Sequence, residues 1–440
     1  MLAIVAAWAC LAAVNAALIA AGFTTGAPAW FPISIFTGPT FHGSGIPFIV
    51  LFAILLAWAV RSGAALKGWQ VTLTGFALIV LGNLGQGGVD AAFVRPFTDF
   101  PDWGIQYYHD AIRITAWNDW LASFNANQLG FFEHTKTHPP FAVLIHHLFL
   151  GMSGGSVLFL GAAFTVLTGV SIFLFRHILR VLRVPAAEMN LLTLLFSVLP
   201  AVNIYGAVTL DGVILTTSML FLLGVVLLLT RERFSPSGMV MFLLGMLLTN
   251  FLTYGGVFLV AVAGILALRE IVTRKRYPVT IACAVSLVVF LGALYAIKHV
   301  LGYDHIRGFL TASALENPNG FRGFSEPLVY LSTRIESVCE IALFFALGCC
   351  AAAFHPARLN LSLRDVQSDE GMVMLSGVGV LLAMLLAGAF RTGETARCAL
   401  FIYPYLVLLF TRADSRVLKD LVILAGAQTA AMQLFGGYFW

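Results

Sequence analysis

The sequence predicts an all-α protein whose helices cross a lipid bilayer many times. Of its 440 residues, 60% are hydrophobic and only 10% are charged, whereas a soluble domain carries about 25% charged residues. Apolar stretches of spanning length, about 17 to 25 residues, recur along the chain. So few charged side chains cannot cover a water-facing surface of this size, which excludes an ordinary soluble domain. The net charge of +4 fits basic cytoplasmic loops, and nucleic acid is not expected as a partner.

The apolar stretches predict about thirteen membrane spans in a single transmembrane domain over residues 1–440. The two spans at 238–252 and 255–268 are short, so they could also form one broken hairpin. The predicted spans lie near residues 2–22, 46–60, 71–88, 155–175, 190–208, 213–230, 238–252, 255–268, 279–298, 328–353, 372–390, 398–411 and 418–436.

The basic residues predict the orientation. Of the 25 Lys and Arg residues, 16 lie in loops that fall on one side of the thirteen-span arrangement. Because cytoplasmic loops are enriched in Lys and Arg, this side is expected to be cytoplasmic. The N-terminus is then inside, and the protein is expected to be a multi-pass protein of the plasma (inner) membrane with its active site on the outer face.

The opposite, outer side carries 13 of the 21 acidic residues and two long polar segments. These are the first outer segment, residues 89–138, and the second outer segment, residues 299–327. Both are rich in Asp, His and Asn and in aromatic residues. Any chemistry is therefore expected on the outer face, with the first outer segment as the catalytic loop.

Within the first outer segment, residues 105–124 have apolar residues at helical spacing together with several aromatic residues. This pattern predicts amphipathic helix lying on the membrane surface. Asp99 and Asp102 precede it, where carboxylates cap a helix N-terminus or could act as catalytic bases at the surface. Asp102 and His109, with Asp110, are also candidate ligands of a divalent metal ion.

His138-Pro139-Pro140 follows, and the prolines predict a turn into another helix. The turn would hold His138 at a set point on the outer surface. His146 and His147 lie eight and nine residues further on, which does not form one metal-binding face with His138, so both are interpreted as interfacial residues.

Further polar residues recur at predicted outer positions. Asp211 begins a span, as a helix cap or as a functional acid. Arg334, Glu336 and Glu340 fall in the outer part of a span, where ionisable residues are functional candidates by default or form a structural Arg–Glu pair. The loop RTGETAR places Arg391 and Arg397 around Glu394, and arginines bind phosphates with paired hydrogen bonds.

The order of these pieces resembles the GT-C superfamily of membrane glycosyltransferases, closest to the aminoarabinose lipid A transferase and protein O-mannosyltransferase group. Pro101-Asp102, Asn118-Asp119-Trp120 and His138-Pro139-Pro140 carry the resemblance, which extends over about residues 71–411. The family commonly has a second acid where this chain has Trp103, and Lys where it has His138.

The resemblance implies transfer of a sugar from a polyprenyl-phosphate donor to a glycan, lipid or protein acceptor on the outer face. It implies no certain cofactor. The catalytic candidates are then Asp102, with Asp99 as its competitor, and the donor phosphate would bind His138, Arg391 and Arg397. The supporting candidates are Tyr107, His109, Asp110, Asp211, Glu316 and Glu394.

Two other classes of protein remain open. A non-enzymatic transporter or flippase of lipids or polysaccharides explains the spans equally well, and it predicts ionisable residues near the bilayer midplane and internal repeats. A polymerase or ligase of lipid-linked glycans would also act on the outer face. The sequence contains no nucleotide-binding fingerprint or nucleophile elbow that would favour a cytosolic reaction.

Overall fold

The computed structural model describes residues 2–23, 31–33, 36–63, 65–98, 106–231, 233–355, 359, 367–390 and 394–438. Within these residues, eight helices are long and apolar enough to cross a membrane, and a bent helix pair gives a ninth. The all-α multi-pass architecture is therefore confirmed, but the count of about thirteen spans is not. The four remaining predicted spans are shorter apolar helices at Gly68–Leu84, Ala186–Val198, Pro236–Leu252 and Leu400–Phe410.

Proline explains one of these shorter helices. The predicted span 190–208 divides into Ala186–Val198 and Pro200–Tyr205 because Leu199 adopts an extended conformation (ψ 134°). A residue before proline disfavours the helical region, and proline itself cannot donate a backbone hydrogen bond.

The described chain forms two compact units. The first unit comprises Met1–Ala92, Thr168–Ala207 and Phe321–Trp440, and the second comprises Phe93–Leu167 and Val208–Gly320. The helix Val157–Val181 contributes residues to both units.

The first unit is built mainly from helices. Its N-terminal helix Leu2–Ala20 is only 6% buried, with Asn15 as its one buried residue. A short antiparallel pair of strands, Phe36–Pro39 and Gly436–Tyr438, accompanies the helices. The other helices are Ile46–Ser62, Gly68–Leu84, Val89–Phe93 in part, Ala186–Val198, Pro200–Tyr205, Arg322–Ser325, Pro327–Phe344, Leu347–Ala353, Asp369–Leu386, Thr395–Cys398, Tyr403–Val407 and Ser415–Phe435.

Buried amides join three of these helices. Gln433 donates to Asn203 (3.0 Å), and Gln86 donates to Gln433 (2.6 Å). Asn83 donates to the Asn203 carbonyl (2.6 Å). All four side chains are buried, so each amide needs partners from the others. The network fixes how the helices Gly68–Leu84, Pro200–Tyr205 and Ser415–Phe435 pack.

The helices Pro327–Phe344 and Leu347–Ala353 meet at an angle of 103°. Ala346 stands at the bend with a positive φ of 74°. Gln428 spans the bend, because its side chain donates to the Leu343 carbonyl and accepts the Leu347 N–H, both at 2.8 Å. A broken helix leaves backbone groups without partners, and this amide satisfies two of them.

The second unit contains the helix Leu210–Thr230, which is almost wholly buried. Pro236–Leu252 packs along it, and Thr249 donates to Thr217 at 2.8 Å. The side chain of Arg276 donates to the carbonyl of Leu229 at 3.1 Å, and so caps the end of the central helix. The other helices are Arg95–Thr98, Tyr107–Ala111, Trp117–Asn127, Glu133–Thr137, Phe141–Met152, Val257–Arg269, the π-helical turn Glu270–Arg274, Pro278–Leu301 and His305–Glu316.

The predicted amphipathic helix over residues 105–124 is two helices, Tyr107–Ala111 and Trp117–Asn127. The break contains Ile112, Ile114 and Thr115, whose branched side chains lower helix propensity. The second helix then starts afresh with Asp119 in its first turn, where a carboxylate is favoured by the helix dipole.

Candidate functional site

Asp99, Asp102 and Arg391 lie outside the described residues, and so does the Pro101-Asp102 pair. The described part of the first outer segment resumes at Gln106, and the described part of the RTGETAR loop begins at Glu394. The site residues that the structure does describe divide between the two units, and each group is considered by itself.

In the second unit, Tyr107 is the centre of a ring cluster. Its ring lies 5.4 Å from those of His134 and His138 and 5.3 Å from that of His146. Tyr107 is 7% exposed and begins the helix Tyr107–Ala111. The predicted residues Tyr107 and His138 are thus brought together, and His134, which sequence analysis did not single out, joins them. We call these four residues the histidine cluster.

His138 has the extended backbone conformation that a following proline favours. His138 has extended backbone angles (φ −126°, ψ 162°), Pro139 and Pro140 are buried, and the helix Phe141–Met152 begins directly after them. The predicted turn into a helix is confirmed.

The hydrogen bonds of His138 determine its chemistry. Its Nδ1 lies 3.0 Å from the His134 carbonyl oxygen. A carbonyl only accepts, so Nδ1 carries a hydrogen. The other nitrogen, Nε2, is then an acceptor in the neutral ring and a donor in the imidazolium. Binding of a donor phosphate by Nε2 therefore requires the positively charged form of His138.

Asp110 and His109 have different surroundings. Asp110 is 3% exposed and accepts the Phe132 N–H at 3.0 Å, so it ties two parts of the first outer segment together. His109 packs its ring on that of Phe132, and its buried Nε2 has no hydrogen-bond partner among the described residues. Burial, reinforced by the nearby charge of Arg113, lowers the pKa of His109. Its ring is therefore neutral at neutral pH and offers a lone pair.

The second outer segment packs on the first. Asn125 exchanges two hydrogen bonds with the backbone of Asp304, at 2.8 and 3.0 Å. Gln128 donates to the carbonyls of Lys136 and Gly308, both at 2.9 Å. These amide contacts hold the histidine cluster's segment in place. Sequence analysis missed them, because Asn and Gln in a polar segment carry no spacing signal.

A small aromatic core underlies this packing. Leu121, Phe124 and Tyr303 are fully buried, and Trp120 and Phe131 pack against them. Trp120 of the Asn118-Asp119-Trp120 motif therefore has a packing role, whereas Asn118 and Asp119 are exposed. The parts of the two outer segments that belong to the second unit, within residues 106–138 and 299–320, form one folded layer.

Two predicted residues of the second unit lie at helix ends. Asp211 is in the first turn of Leu210–Thr230, but the capping residue is Thr209, whose side chain accepts the Gly212 N–H at 3.2 Å. The interpretation of Asp211 as the N-cap is therefore wrong, because the N-cap lies two residues earlier, at Thr209. Glu316 is the last residue of the helix His305–Glu316.

In the first unit, Arg397 is 5% exposed and lies 2.7 Å from Glu394. Glu394 thus forms an ion pair with Arg397. Arg397 belongs to the four-residue helix Thr395–Cys398. The preceding Thr395 donates its N–H to Glu340 (2.9 Å) and its hydroxyl to Ser337 (3.1 Å). The helix Pro327–Phe344 therefore holds the segment that carries Arg397.

Arg334 takes no part in the predicted Arg–Glu pair. Its guanidinium donates to the carbonyl of Leu385 at 2.7 Å and to those of Ala389 and Phe390. The Leu385 carbonyl belongs to the last turn of the helix Asp369–Leu386, and the other two carbonyls follow its end. Arg334 therefore caps the C-terminal end of this helix. The two glutamates on the same helix, Glu336 and Glu340, are fully buried.

No group of three His, Cys, Asp or Glu residues suited to a metal ion occurs in the described parts of the chain. The candidate ligand His109 is described, while its proposed companion Asp102 is not. Comparisons with protein-family models, curated proteins and solved structures gave no match to this chain.

Proposed function

We propose that this chain is a membrane glycosyltransferase that moves a sugar from a polyprenyl-phosphate donor to an acceptor hydroxyl on the outer face. The observation that carries the proposal is the histidine cluster around Tyr107. The cluster lies in a folded layer, and its central residue, Tyr107, is five residues beyond Asp102 along the chain. Rigid elements that position polar groups are what a catalytic loop needs.

The proposed reaction uses Asp102 as a general base. The carboxylate takes the proton of the acceptor hydroxyl while the hydroxyl oxygen attacks the anomeric carbon. The bond between the anomeric carbon and the phosphate oxygen breaks, and the lipid phosphate leaves with the electron pair. Cationic groups stabilise the charge that develops on the phosphate. The proposed cations are Arg391 and Arg397 or, as the alternative, His138 as imidazolium. Asp99 is the second candidate base.

Two buried glutamates, Glu336 and Glu340, favour the alternative that the protein is a transporter or flippase. Glu336 and Glu340 are ionisable residues inside a bent helix of spanning length, as a transporter or flippase would require. A transporter moves the lipid-linked substrate unchanged, whereas a transferase releases free polyprenyl phosphate. Measuring whether free polyprenyl phosphate is released therefore distinguishes the two functions.

The experiment uses the purified full-length protein in lipid vesicles with labelled polyprenyl-phosphate hexose and pentose donors and a mixture of candidate acceptors. Release of polyprenyl phosphate is measured for the wild type and for Asp102→Asn. Because Asn cannot accept the proton, turnover should fall by about two to four orders of magnitude, with donor binding retained.

Asp119→Asn is the matched control. Asp119 is an exposed carboxylate in the same segment, so its replacement should leave turnover near that of the wild type. Near-normal release by Asp102→Asn would reject Asp102 as the base and direct the same test to Asp99. Movement of intact donors across the vesicle membrane, with no release by the wild type, would establish the transporter instead.

A further inference from the structure

Two basic segments, residues 231–233 and 269–276, meet in the second unit. Each segment lies at the C-terminal end of an apolar helix. The guanidinium of Arg276 donates to the carbonyls of Leu229 and Arg231, and so joins the two segments. We call the two segments together the basic region.

The basic region carries more positive charge than its own acids balance. It contains six Arg and Lys residues and only two Glu residues, which leaves four positive charges in excess. The other acidic residues of the second unit lie in the outer segments, apart from Asp211. Asp211 is at the opposite end of the 21-residue helix Leu210–Thr230, about 30 Å away. Charges at that distance are largely screened in water.

The structural roles of these cations account for only part of the excess. Glu270 is fully buried and has the guanidinium groups of three arginines within 3.4 to 3.9 Å, and one carboxylate neutralises only one of them. The C-terminal ends of the two helices add about half a negative charge each. At least two positive charges therefore remain for a ligand. The cations with exposed side chains are Arg231, Arg233, Arg274 and Lys275.

Exposed apolar side chains border the basic region. Phe234 and Tyr277 directly follow the two segments and are 49% and 53% exposed. Aromatic residues at the ends of spans are typical of the membrane–water interface. The helix Pro278–Leu301, which begins after Tyr277, is long enough to cross a membrane and only 11% buried. A positively charged surface thus adjoins an apolar one, as the head group and acyl chains of a lipid require.

We propose that the basic region binds an anionic phospholipid. Its phosphate is held by Arg231, Arg233 and Lys275, and its acyl chains lie along the exposed face of Pro278–Leu301. Arginine makes paired hydrogen bonds to phosphate, and basic residues next to a span attract anionic head groups.

The charge excess selects the kind of lipid. A zwitterionic lipid brings no net negative charge, so it leaves the excess of the basic region in place, whereas an anionic lipid reduces it. The basic region lies on the side predicted to be cytoplasmic, opposite the predicted active site. The lipid site therefore does not rest on the proposed function, and either one can fail without the other.

The test uses the purified full-length protein in micelles of an uncharged detergent. Phosphatidylglycerol and phosphatidylcholine are added separately, and native mass spectrometry measures the affinity of each lipid. Phosphatidylglycerol should bind more tightly to the wild type. The double variant Arg233→Gln with Lys275→Gln should bind it about 30-fold more weakly, since each cation near an anionic head group contributes about fivefold.

Arg61→Gln with Lys67→Gln is the matched control. Both are exposed basic residues of the first unit, so the same charge is removed elsewhere, and the affinity for phosphatidylglycerol should remain that of the wild type. Equal losses in the two double variants would show attraction to any basic loop and would overturn the site. Equal affinity of the wild type for the two lipids would also overturn it.

Glycerol phosphate tests whether the acyl chains matter. It carries the phosphate without acyl chains, and it should not displace phosphatidylglycerol at equal concentration. Effective displacement would show that the basic region recognises phosphate alone and would overturn the assignment to a lipid.

The unmodified protein provides a test that does not depend on the folding of any variant. Phosphatidylglycerol with a photoreactive head group is added in the presence of excess phosphatidylcholine. The cross-links should concentrate on peptides that contain residues 231–234 or 269–277. Cross-links confined to other peptides would overturn the site.

Discussion

Asn125 and Asp304 lie 179 residues apart in the chain and exchange two hydrogen bonds. The Asn125 amide donates to the Asp304 carbonyl and accepts the Asp304 N–H. The amide therefore acts as a backbone partner that joins the first outer segment to the N-terminus of the helix His305–Glu316. Within the second unit, the described parts of the two outer segments are therefore built as one folded layer and not as two independent loops.

We expect Asn125→Ala to weaken this layer. The substitution leaves two backbone groups of Asp304 without their partner, and each such loss costs about 1 to 3 kcal/mol when the group is buried. Because Asp304 is only half-buried, the lower end of that range is expected for the free energy of unfolding. Thermal unfolding and limited proteolysis of the outer segments measure the effect.

Asn127→Ala provides the control for this change. Asn127 ends the same helix but is exposed, so its loss should leave the unfolding midpoint nearly unchanged. Equal behaviour of the two variants would show that the Asn125 hydrogen bonds do not stabilise the layer.

The orientation predicted from the basic residues is tested by cysteine labelling of intact cells. Asn127→Cys, in a background with the six native cysteines replaced by Ala, should react with an impermeant thiol reagent from outside. Asn127 suits this test better than Asn125, whose side chain is engaged. Lys67→Cys, at an exposed position in a predicted cytoplasmic loop, should react only after permeabilisation. The reverse pattern would invert the orientation and remove the proposed outer site.

Arg397→Gln should weaken the binding of polyprenyl phosphate. Loss of a hydrogen bond from a charged donor costs about 1.5 to 3 kcal/mol, which corresponds to a dissociation constant raised about 10- to 100-fold. Calorimetry on the purified protein measures the constant. Arg412→Gln is the matched control, because Arg412 also pairs with a glutamate, Glu370 at 2.5 Å, but is exposed. Unchanged affinity in Arg397→Gln would exclude this residue from the donor site.

The outer layer should lose stability in mild acid through His305. Burial lowers the pKa of His305 to about 4, whereas an unfolded histidine titrates near 6.5. Below pH 6.5 the unfolded chain binds a proton that the folded chain does not. The free energy of unfolding should therefore fall between about pH 6.5 and 4, by about 1.4 kcal/mol per pH unit at most.

His305→Phe removes this titration and suits the surroundings, since Phe251, Phe290 and Tyr303 border the ring. The unfolding midpoint of this variant should change less with pH over the same range. Asp304 affects stability only at lower pH, because its hydrogen bond with Lys298 lowers its pKa. The stability that Asp304 supplies is lost as the pH falls through that lowered pKa. A profile for His305→Phe as steep as that of the wild type would contradict the prediction.

The sequence predicted the helical membrane architecture because long apolar stretches are characteristic of helices that cross a lipid bilayer. It predicted the turn at His138 because proline restricts its neighbours in any context. It overcounted the long spans where an apolar stretch forms only a shorter helix, as where Pro200 divides the predicted span 190–208. Apolarity alone does not distinguish a continuous span from two buried short helices.

The site was harder to predict. The pairing of Glu394 with Arg397 follows from helical spacing, three residues apart. The hydrogen bond from Thr395 to Glu340 joins residues 55 positions apart, and the histidine cluster draws His134 and His146 to Tyr107 through packing. Such contacts depend on tertiary structure and leave no local pattern in the chain.

The N-terminal helix Leu2–Ala20 offers most of its apolar side chains to its surroundings and buries only Asn15. Hydrocarbon chains solvate such a surface as well as protein does, so lipids and the rest of the protein compete for it on nearly equal terms. Extraction into detergent replaces the lipids around the helix with detergent molecules. How firmly this helix packs against the rest of the protein should consequently vary with the choice of detergent or lipid. The yield of cross-links between the helix and the rest of the protein should therefore depend on that choice as well as on the fold.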